Sequence, residues 1–327
     1  MSILFIGDNH PMGWMTGKYE QRALTTIWSN ILNRYRHERC LLVNNTWLEG
    51  NKEWEELLFA EQTFDHLFYV SLIDPDITSI GHPLQDKISL LGNPVLHRVG
   101  NFDNSEHSFY IFAIMVNDLF AKYTDEELRL TEIKYDFINY NRKPHPHRKQ
   151  LVDRLEAERL VKNGIVTLGC TVSPKVVNED IPALDSSGEN DGLGIPNDIM
   201  TLGNMDYWRH HFLNIVSETE SDANIDIFVS EKTFKPMLGM RPFLVNGQEG
   251  ATAWLEDNGF RTFDHYFPHA DNQQDQIIKA LHWLATRTEE QKLELYDVMY
   301  MDLLHNKARV KSFAEEQEKK LADVLLW

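Results

Sequence analysis

The sequence predicts an α/β protein with two Rossmann-like domains facing a cleft, followed by a C-terminal helical segment. Short apolar runs that end in polar turns alternate with segments of helical spacing, which is typical of βαβ units and a parallel sheet. The alternation starts again after a charged stretch at residues 124–132, and 327 residues exceed the usual size of one domain. We therefore expect domains at residues 1–130 and 131–285 and a helical segment at 286–327.

The predicted first domain contains apolar runs of strand length separated by segments of helical spacing. Strands are expected at residues 2–6, 40–43, 66–73 and 94–99. Helices are expected at residues 19–35, 52–62 and 109–122. Because ligands bind outside the carboxyl ends of strands in open α/β sheets, we expect functional side chains in the turns that follow these strands.

The predicted second domain repeats this pattern around a long polar loop. Strand-like segments occur at residues 135–140, 165–168, 213–216, 227–229, 242–246 and 260–263. Helices are expected at residues 147–163, where Gly164 is placed to end the helix, and from Glu231, Asp275 and Glu289 onwards. Residues 173–203 are rich in Pro, Gly, Ser, Asp and Asn, which indicates a long surface loop, either a functional lid or a disordered segment.

Charge and cysteine content restrict the class of partner and the compartment. The chain carries 32 basic and 50 acidic residues, and its net charge of −18 argues against non-specific binding to nucleic acid. Cys40 and Cys170 are too few to staple a protein of this size, so we expect a reduced, cytoplasmic setting. We expect no membrane span either, because no run reaches the roughly 18 apolar residues that a span needs.

The strongest functional signal lies at residues 212–247. Two strand-like segments end there in polar residues, one at Glu218 and the other at Ser230, directly before a predicted helix. Ser230 suits the N-cap position, and a helix N-terminus with Lys232 beside it attracts anions. Glu231 can accept hydrogen bonds from a vicinal diol, so the segment combines the two contacts that a sugar nucleotide requires. The alternative interpretation is ordinary helix capping beside a solvated lysine.

A second signal is the most basic stretch of the chain, residues 139–162. Seven Lys or Arg residues lie there with three acidic residues. Arg142 lies at a predicted strand end and Arg148 at the start of the next helix, where a guanidinium group can bind a phosphate through two hydrogen bonds. For the basic residues further along the helix, a solvated charged face is the alternative.

Together these stretches resemble the donor-binding motif of α-1,3-fucosyltransferases and of related exostosin-like and phage-encoded glycosyltransferases. The likeness covers about residues 134–264. Its matching residues are Asn139, Arg142, Arg148, Leu151, Phe212, Glu218, Phe228, Val229, Ser230, Glu231, Lys232, Pro236, Gly239 and Pro242. The chain departs from the fucosyltransferase pattern after Lys232, where Thr-Phe-Lys-Pro follows, so the donor sugar stays open. The resemblance implies the GT-B fold, which agrees with the two-domain prediction.

The resemblance also implies a role for each residue. It assigns the ribose or donor sugar to Glu231 and the donor-sugar pocket to Glu218. It assigns the pyrophosphate to Lys232 and Arg148, with Ser230 capping the helix. The implied reaction is an inverting transfer from a UDP- or GDP-sugar that requires no metal or other cofactor, because protein cations and a helix N-terminus stabilise the leaving group.

An inverting transfer also needs a general base near the acceptor hydroxyl, which we expect in the first domain. Asp8 and His10 are the first candidates, because they follow the first strand directly. Further candidates after later strands are Asp74, Asp76, Asp103 and Glu106. The Asp-Pro-Asp pattern at 74–76 is also able to bind Mn²⁺ or Mg²⁺ together with a donor diphosphate, which is the alternative to metal-independent transfer.

The acceptor is open at this level. A glycan or a small molecule is the first expectation. DNA carrying a hydroxymethylated pyrimidine is the alternative, because the phage-like resemblance and the basic stretch favour it, although the net charge does not. A non-catalytic nucleotide-binding module is the third interpretation.

Overall fold

A computed structural model describes residues 2–6, 17–44, 63–72, 92–100, 107–116, 123–141, 144–168, 175–176, 202, 204–221 and 227–326. The protein is α/β and divides into two compact units. Unit 1 comprises Met1–Met115, Ala223–Phe228 and Ala314–Trp327, and unit 2 comprises Val116–Asp222 and Val229–Phe313. The first boundary between the units follows Met115, a short return segment belongs to unit 1, and the C-terminal residues are divided between the two units. The predicted limits after residues 130 and 285 stay predictions.

Unit 1 contains a parallel sheet. Its strands, in spatial order, are β1 (Ser2–Ile6), β2 (Arg39–Asn44), β3 (His66–Ser71), β4 (Val95–Gly100) and β5 (His107–Ser108). Its helices include α1 (Gly17–Arg34) and α2 (Ile111–Val116). β3 is buried along its length apart from His66, as expected for a parallel strand covered on both faces. Among the described strands the order follows the chain and never reverses.

Unit 2 contains a Rossmann-like sheet whose strand order reverses. Its strands are β6 (Tyr135–Asn141), β7 (Gly164–Leu168), β8 (Lys175–Val176), β9 (His211–Ser217) and β10 (Phe243–Asn246). The spatial order is β10-β9-β6-β7-β8, with every pairing parallel except that of β7 with β8. The chain therefore moves outward from β6 and later returns to the other side of it. The reversal between β6 and β9 is a topological switch point, where open α/β sheets bind their ligands.

Helices accompany this sheet, and the last one continues into unit 1. They are α3 (Asp125–Leu128), α4 (Pro146–Ala157), α5 (Met205–His210), α6 (Glu231–Leu238), α7 (Ala251–Asp257), α8 (Gln273–Ala285) and α9 (Glu289–Asp323). Lys292 on α9 forms a largely buried ion pair of 2.5 Å with Asp136 of β6, which ties the helix to the sheet. No helix of the described ranges is long and apolar enough to cross a membrane.

Most of the predicted elements are confirmed to within a few residues. The exceptions are residues 227–229 and 260–263, which have no regular secondary structure. The predicted helix at 52–62, the later part of that at 109–122 and most of the predicted loop at 173–203 lie outside the described residues. The short elements α3, α5, α7, β5 and β8 were not predicted, because too few residues carry a periodic pattern in each.

The predicted helix at 147–163 is divided in two, and Gly164 ends only its second part, a 3₁₀ turn at Val161–Asn163 of which it is the C-cap. Helix α4 ends at Ala157, and Arg159 takes a left-handed conformation with φ of 57°, so the chain has left the helix before residue 164. Gly164 is the first residue of β7. A Cβ atom there would lie 2.5 Å from the ring of Phe137 on β6, so the glycine permits close approach of the two strands.

Candidate functional site

The candidate site lies at the carboxyl edge of the unit 2 sheet. β6 ends there at Asn141 and the neighbouring strand β9 ends at Ser217, followed directly by Glu218. Helix α6 begins close by, and the Ser230 side chain caps it by accepting a hydrogen bond from the backbone N–H of Lys232. The edge therefore combines the switch point of the sheet with the N-terminus of a helix.

Glu218 is fully buried and positions the start of α6. Its Oε1 accepts hydrogen bonds from the backbone N–H of Ser230 (3.0 Å) and the hydroxyl of Thr233 (2.5 Å). Its Oε2 accepts from the Ser230 hydroxyl (2.6 Å) and the Thr219 N–H (3.3 Å). The carboxylate thus occupies the anion position at the helix N-terminus. Its place in a donor-sugar pocket stays a prediction.

Arg148 and His147, in the first turn of α4, bind the main chain of the same residue. Arg148 is 3% exposed and donates from Nε (3.0 Å) and Nη2 (2.7 Å) to the carbonyl oxygen of Glu218. His147 lies 2.9 Å from that oxygen through Nε2, which therefore carries the proton. Glu218 is thus held by α4 through its carbonyl and by α6 through its carboxylate. The pyrophosphate contact assigned to Arg148 stays a prediction.

His147 is held in its neutral form. Burial lowers its pKa, and the charge of Arg148 acts in the same direction, against the hydrogen bond to Glu218 that favours the protonated ring. Because Nε2 donates to the carbonyl, Nδ1 is the basic nitrogen of the neutral ring. Among the described residues, no group of three or more His, Cys, Asp and Glu side chains has the geometry to hold a metal ion.

Glu231 and Lys232 form an ion pair at the first turn of α6. The Lys232 Nζ lies 3.1 Å from Glu231 Oε1, and it also contacts the hydroxyls of Ser230 (3.2 Å) and Thr219 (3.4 Å). Burial by itself would raise the pKa of Glu231, but the charges of Lys232 and Lys235 outweigh it and lower the pKa. Glu231 is therefore an ionised carboxylate that is 5% exposed, whereas 31% of the Lys232 side chain faces solvent.

The structure brings together five of the residues that the sequence singled out. They are Arg148, Glu218, Ser230, Glu231 and Lys232. Arg142 and the candidate bases Asp8 and His10 lie outside the described residues, as do Asp74, Asp76, Asp103 and Glu106. The predictions for these residues therefore stay predictions.

Sequence reasoning assigned no role to a set of buried or partly buried amide and hydroxyl side chains at the same edge, of which only Asn139 was noted as a motif residue. They are Asn139, Asn141, Ser217, Asn246 and Gln274, which are hydrogen-bonded to one another. A signal was present, because β6, β9 and β10 end in Asn141, Ser217 and Asn246. Polar residues at strand ends are common as turn formers, so this signal does not by itself distinguish a site from a turn.

In comparisons with protein-family models, with curated proteins and with solved structures, nothing matches this chain. The resemblance to glycosyltransferases therefore rests on the sequence motif alone.

Proposed function

We propose that this protein is a glycosyltransferase that transfers a sugar from a UDP- or GDP-sugar to an acceptor hydroxyl. The observation that carries the proposal is the pair at the first turn of α6, an ionised buried Glu231 beside a partly exposed Lys232. The pair lies at the switch-point edge of a Rossmann-like sheet, where nucleotide ligands bind. A carboxylate accepts hydrogen bonds from a diol, and an ammonium group attracts a diphosphate.

Lys232 supplies the electrostatic part of the proposed reaction. The bond between the anomeric carbon and the β-phosphate oxygen breaks, and its electron pair stays on that oxygen. The acceptor oxygen forms the new bond to the anomeric carbon, and its proton passes to a base, for which Asp8 and His10 are the candidates. Because Glu218 offsets the positive end of α6, Lys232 is the main cation that meets the developing phosphate charge.

The organisation of the chain supports this function at a coarser level. Two α/β units, each with its own parallel sheet, are compatible with two Rossmann-like domains. The GT-B arrangement, in which two such domains face one cleft, is part of the proposal. Metal-independent transfer is part of it as well.

A thermal-shift panel of UDP-, GDP-, CMP- and dTDP-sugars tests the proposal. A ligand that binds only the folded protein raises its Tm, by an amount that corresponds to about 2.7 kcal/mol at a hundredfold excess over Kd. We expect a shift with a UDP- or GDP-sugar that Glu231→Ala and Lys232→Ala abolish. The matched controls are Glu290→Ala and Lys311→Ala, two exposed residues of α9, which should leave the shift unchanged.

Turnover separates the enzyme from its alternatives. Release of UDP or GDP from the stabilising sugar nucleotide, lost in the Lys232→Ala variant, supports catalysis, whereas binding without release supports a nucleotide-binding module. Binding of duplex DNA at low salt, measured by gel-mobility shift, would favour the DNA-modifying alternative. If no sugar nucleotide shifts the Tm, the proposed function is overturned.

A further inference from the structure

A continuous row of polar side chains crosses the carboxyl edge of the unit 2 sheet. This amide row consists of Gln274, Asn246, Ser217, Asn139 and Asn141. Gln274 donates to the Oδ1 of Asn246 (3.2 Å), and Asn246 donates to the Ser217 hydroxyl (3.3 Å). From the other side, Asn141 donates to the Oδ1 of Asn139 (2.6 Å), and Asn139 donates to the same hydroxyl (3.1 Å).

Backbone carbonyls fix the orientation of every amide in the row. Asn139 donates to Ile215 O (3.0 Å) and Asn141 to Thr167 O (3.0 Å). Gln274 and Asn246 both donate to the carbonyl oxygen of a single residue, His147 (3.1 and 3.4 Å). A carbonyl oxygen only accepts, so rotating any amide by half a turn would place oxygen against oxygen. Each amide nitrogen therefore uses both of its hydrogens inside the protein.

Among the amide groups only acceptors are left over, and they lie at the two ends of the row. The Oδ1 of Asn141 and the Oε1 of Gln274 are buried and have no hydrogen-bond partner among the described residues. Asn141 is 1% exposed. A buried acceptor without a donor is costly and uncommon in folded proteins, so it indicates a donor supplied from outside the chain.

We propose that the amide row binds sugar hydroxyls of the ligand and excludes its phosphates. Hydroxyls can donate to the two free carbonyl oxygens, whereas phosphate oxygens, which carry no hydrogen at neutral pH, would face oxygens of the same sign of charge. The phosphate is left to Lys232, on the α6 side of the same edge. The identity of the ligand as a sugar nucleotide rests on the proposed function, while its division into a hydroxyl end and a phosphate end rests on the amide row.

Calorimetric titration of the full chain with separate parts of the ligand tests this division. The probes are uridine and guanosine for the ribose, methyl α-glucoside for a transferred sugar, inorganic pyrophosphate, and UDP-glucose and GDP-mannose. We expect Asn141→Ala to weaken the two sugar nucleotides about tenfold or more, as loss of a buried hydrogen bond does, and to leave pyrophosphate unchanged. Lys232→Ala should weaken the binding of pyrophosphate and leave the binding of the nucleosides unchanged. The two uncharged probes tell which sugar the row binds.

A second variant and a control keep the test decisive. Gln274→Met removes the other free oxygen at a less buried position, so it serves where Asn141→Ala folds poorly. Asn306→Ala is the control, because Asn306 is equally buried but has both ends of its amide paired with the backbone of Arg261. It should lower stability and leave all affinities unchanged.

The outcomes separate this inference from the proposed function. If the sugar nucleotides bind and both row variants leave their Kd within twofold, the row holds water only and the inference is wrong while the function stands. If nucleosides or glucoside bind through the row but no sugar nucleotide is turned over, the inference stands without the function. Weaker pyrophosphate binding in Asn141→Ala would also overturn the inference.

Discussion

The two ends of helix α6 each carry a buried charge, and the protein uses them differently. At its N-terminus the Glu218 carboxylate accepts from Ser230, Thr233 and Thr219. At its C-terminus the guanidinium group of Arg241, also 0% exposed, donates to five backbone carbonyls. These are the carbonyls of His211, Leu128, Gly239, Met240 and Trp208, at 2.6 to 3.3 Å. The negative charge lies at the positive end of the helix dipole and the positive charge at the negative end, so both stabilise the helix.

The difference lies in what remains unpaired around each charge. At the amino edge of the sheet, Arg241 binds carbonyls at the C-terminal ends of α3, α5 and α6. One cation therefore stabilises three helix ends. Burial lowers the pKa of Arg241 to about 10, which still leaves it charged at neutral pH. The amino edge leaves one buried acceptor without a partner among the described residues, His211 Nε2, whereas the carboxyl edge keeps two free acceptors and a partly exposed ammonium group. The charge at the amino edge therefore serves stability, and the carboxyl edge retains a charge and two acceptors that can bind a ligand.

Removing the cation at the amino edge should have the largest effect. Arg241→Met removes a charged donor from five carbonyls, of which Gly239 keeps the Trp208 Nε1 and Met240 keeps the Tyr296 hydroxyl, and we expect it to lower the free energy of unfolding by about 3 kcal/mol or more. Urea unfolding measures the loss. Arg154→Met is the control, because Arg154 forms a partly exposed pair with Asp275 and should cost under about 1 kcal/mol. Equal losses in both variants would show that the amino edge does not depend on its buried charge.

Neutralising the anion at the other end should cost less stability but affect the site. In Glu218→Gln an amide NH₂ replaces one acceptor oxygen and faces hydrogen-bond donors, so we expect a loss of about 2 kcal/mol. The start of α6 should shift, and the Tm increase caused by sugar nucleotides should shrink with it. Glu290→Gln, at an exposed position of α9, is the matched control. An unchanged ligand response in a destabilised Glu218→Gln protein would separate this carboxylate from the site.

Acid should destabilise both edges through neutral buried histidines. Burial, reinforced by the charge of Arg241, lowers the pKa of His211 well below its usual value, and burial lowers that of His147. Unfolded imidazoles take up protons near pH 6.5 and these folded ones do not. Their contribution is therefore complete above about pH 6.5 and is lost as the pH falls, by up to about 1.4 kcal/mol per pH unit for each ring.

A substitution at the amino edge measures how much His211 contributes to this acid sensitivity. His211→Gln keeps a donor for the Tyr207 carbonyl but cannot titrate, so its unfolding free energy should fall less steeply between pH 6.5 and 5 than that of the native chain. Urea unfolding at a series of pH values measures the slope. His269→Gln, at an exposed position, should leave the slope unchanged. Parallel profiles for the native and His211→Gln proteins would contradict the prediction.

The smallest effect on stability is expected at Lys232. Its ammonium group is partly exposed, and the buried Glu231 carboxylate keeps the charge of Lys235 when Lys232 is removed, so Lys232→Met should lower the free energy of unfolding by less than about 2 kcal/mol. Binding of pyrophosphate should nevertheless be lost. A large loss of stability in this variant would place Lys232 with Arg241 among the structural charges.

The regular elements of the fold were predictable because their signals are local. Apolar runs and helical spacing located the long strands and helices of both units, and Ser230 was recognised as the cap of α6 from its neighbours alone. Gly164 was recognised as the end of a helical segment, but its second role, the close contact with Phe137 on another strand, was not. No periodicity along the chain contains that information.

The residues of the candidate site were predictable, but the sequence did not show which of their polar groups would remain available to a ligand. Residue type located Arg148, Glu218 and Lys232 at one edge, yet it did not tell which charges would be used by the protein itself. Arg148 binds the carbonyl of Glu218 and the Glu218 carboxylate binds the start of α6, whereas Lys232 keeps a solvent-facing side. Arg241 carried no local signal at all, because its partners are carbonyls from separate elements.

The chain's own pattern is sufficient for the α/β class, the start of α6 and the chemistry of Ser230-Glu231-Lys232, since all three depend on residues within a few positions of one another. Which polar atoms remain available is settled only on folding. Glu218 finds its partners 12 and 15 positions away, and Gln274 finds His147 at a separation of 127. A hydrogen bond depends on distance and angle in space, so the acceptors left free on Asn141 and Gln274 emerge only when the strands are side by side.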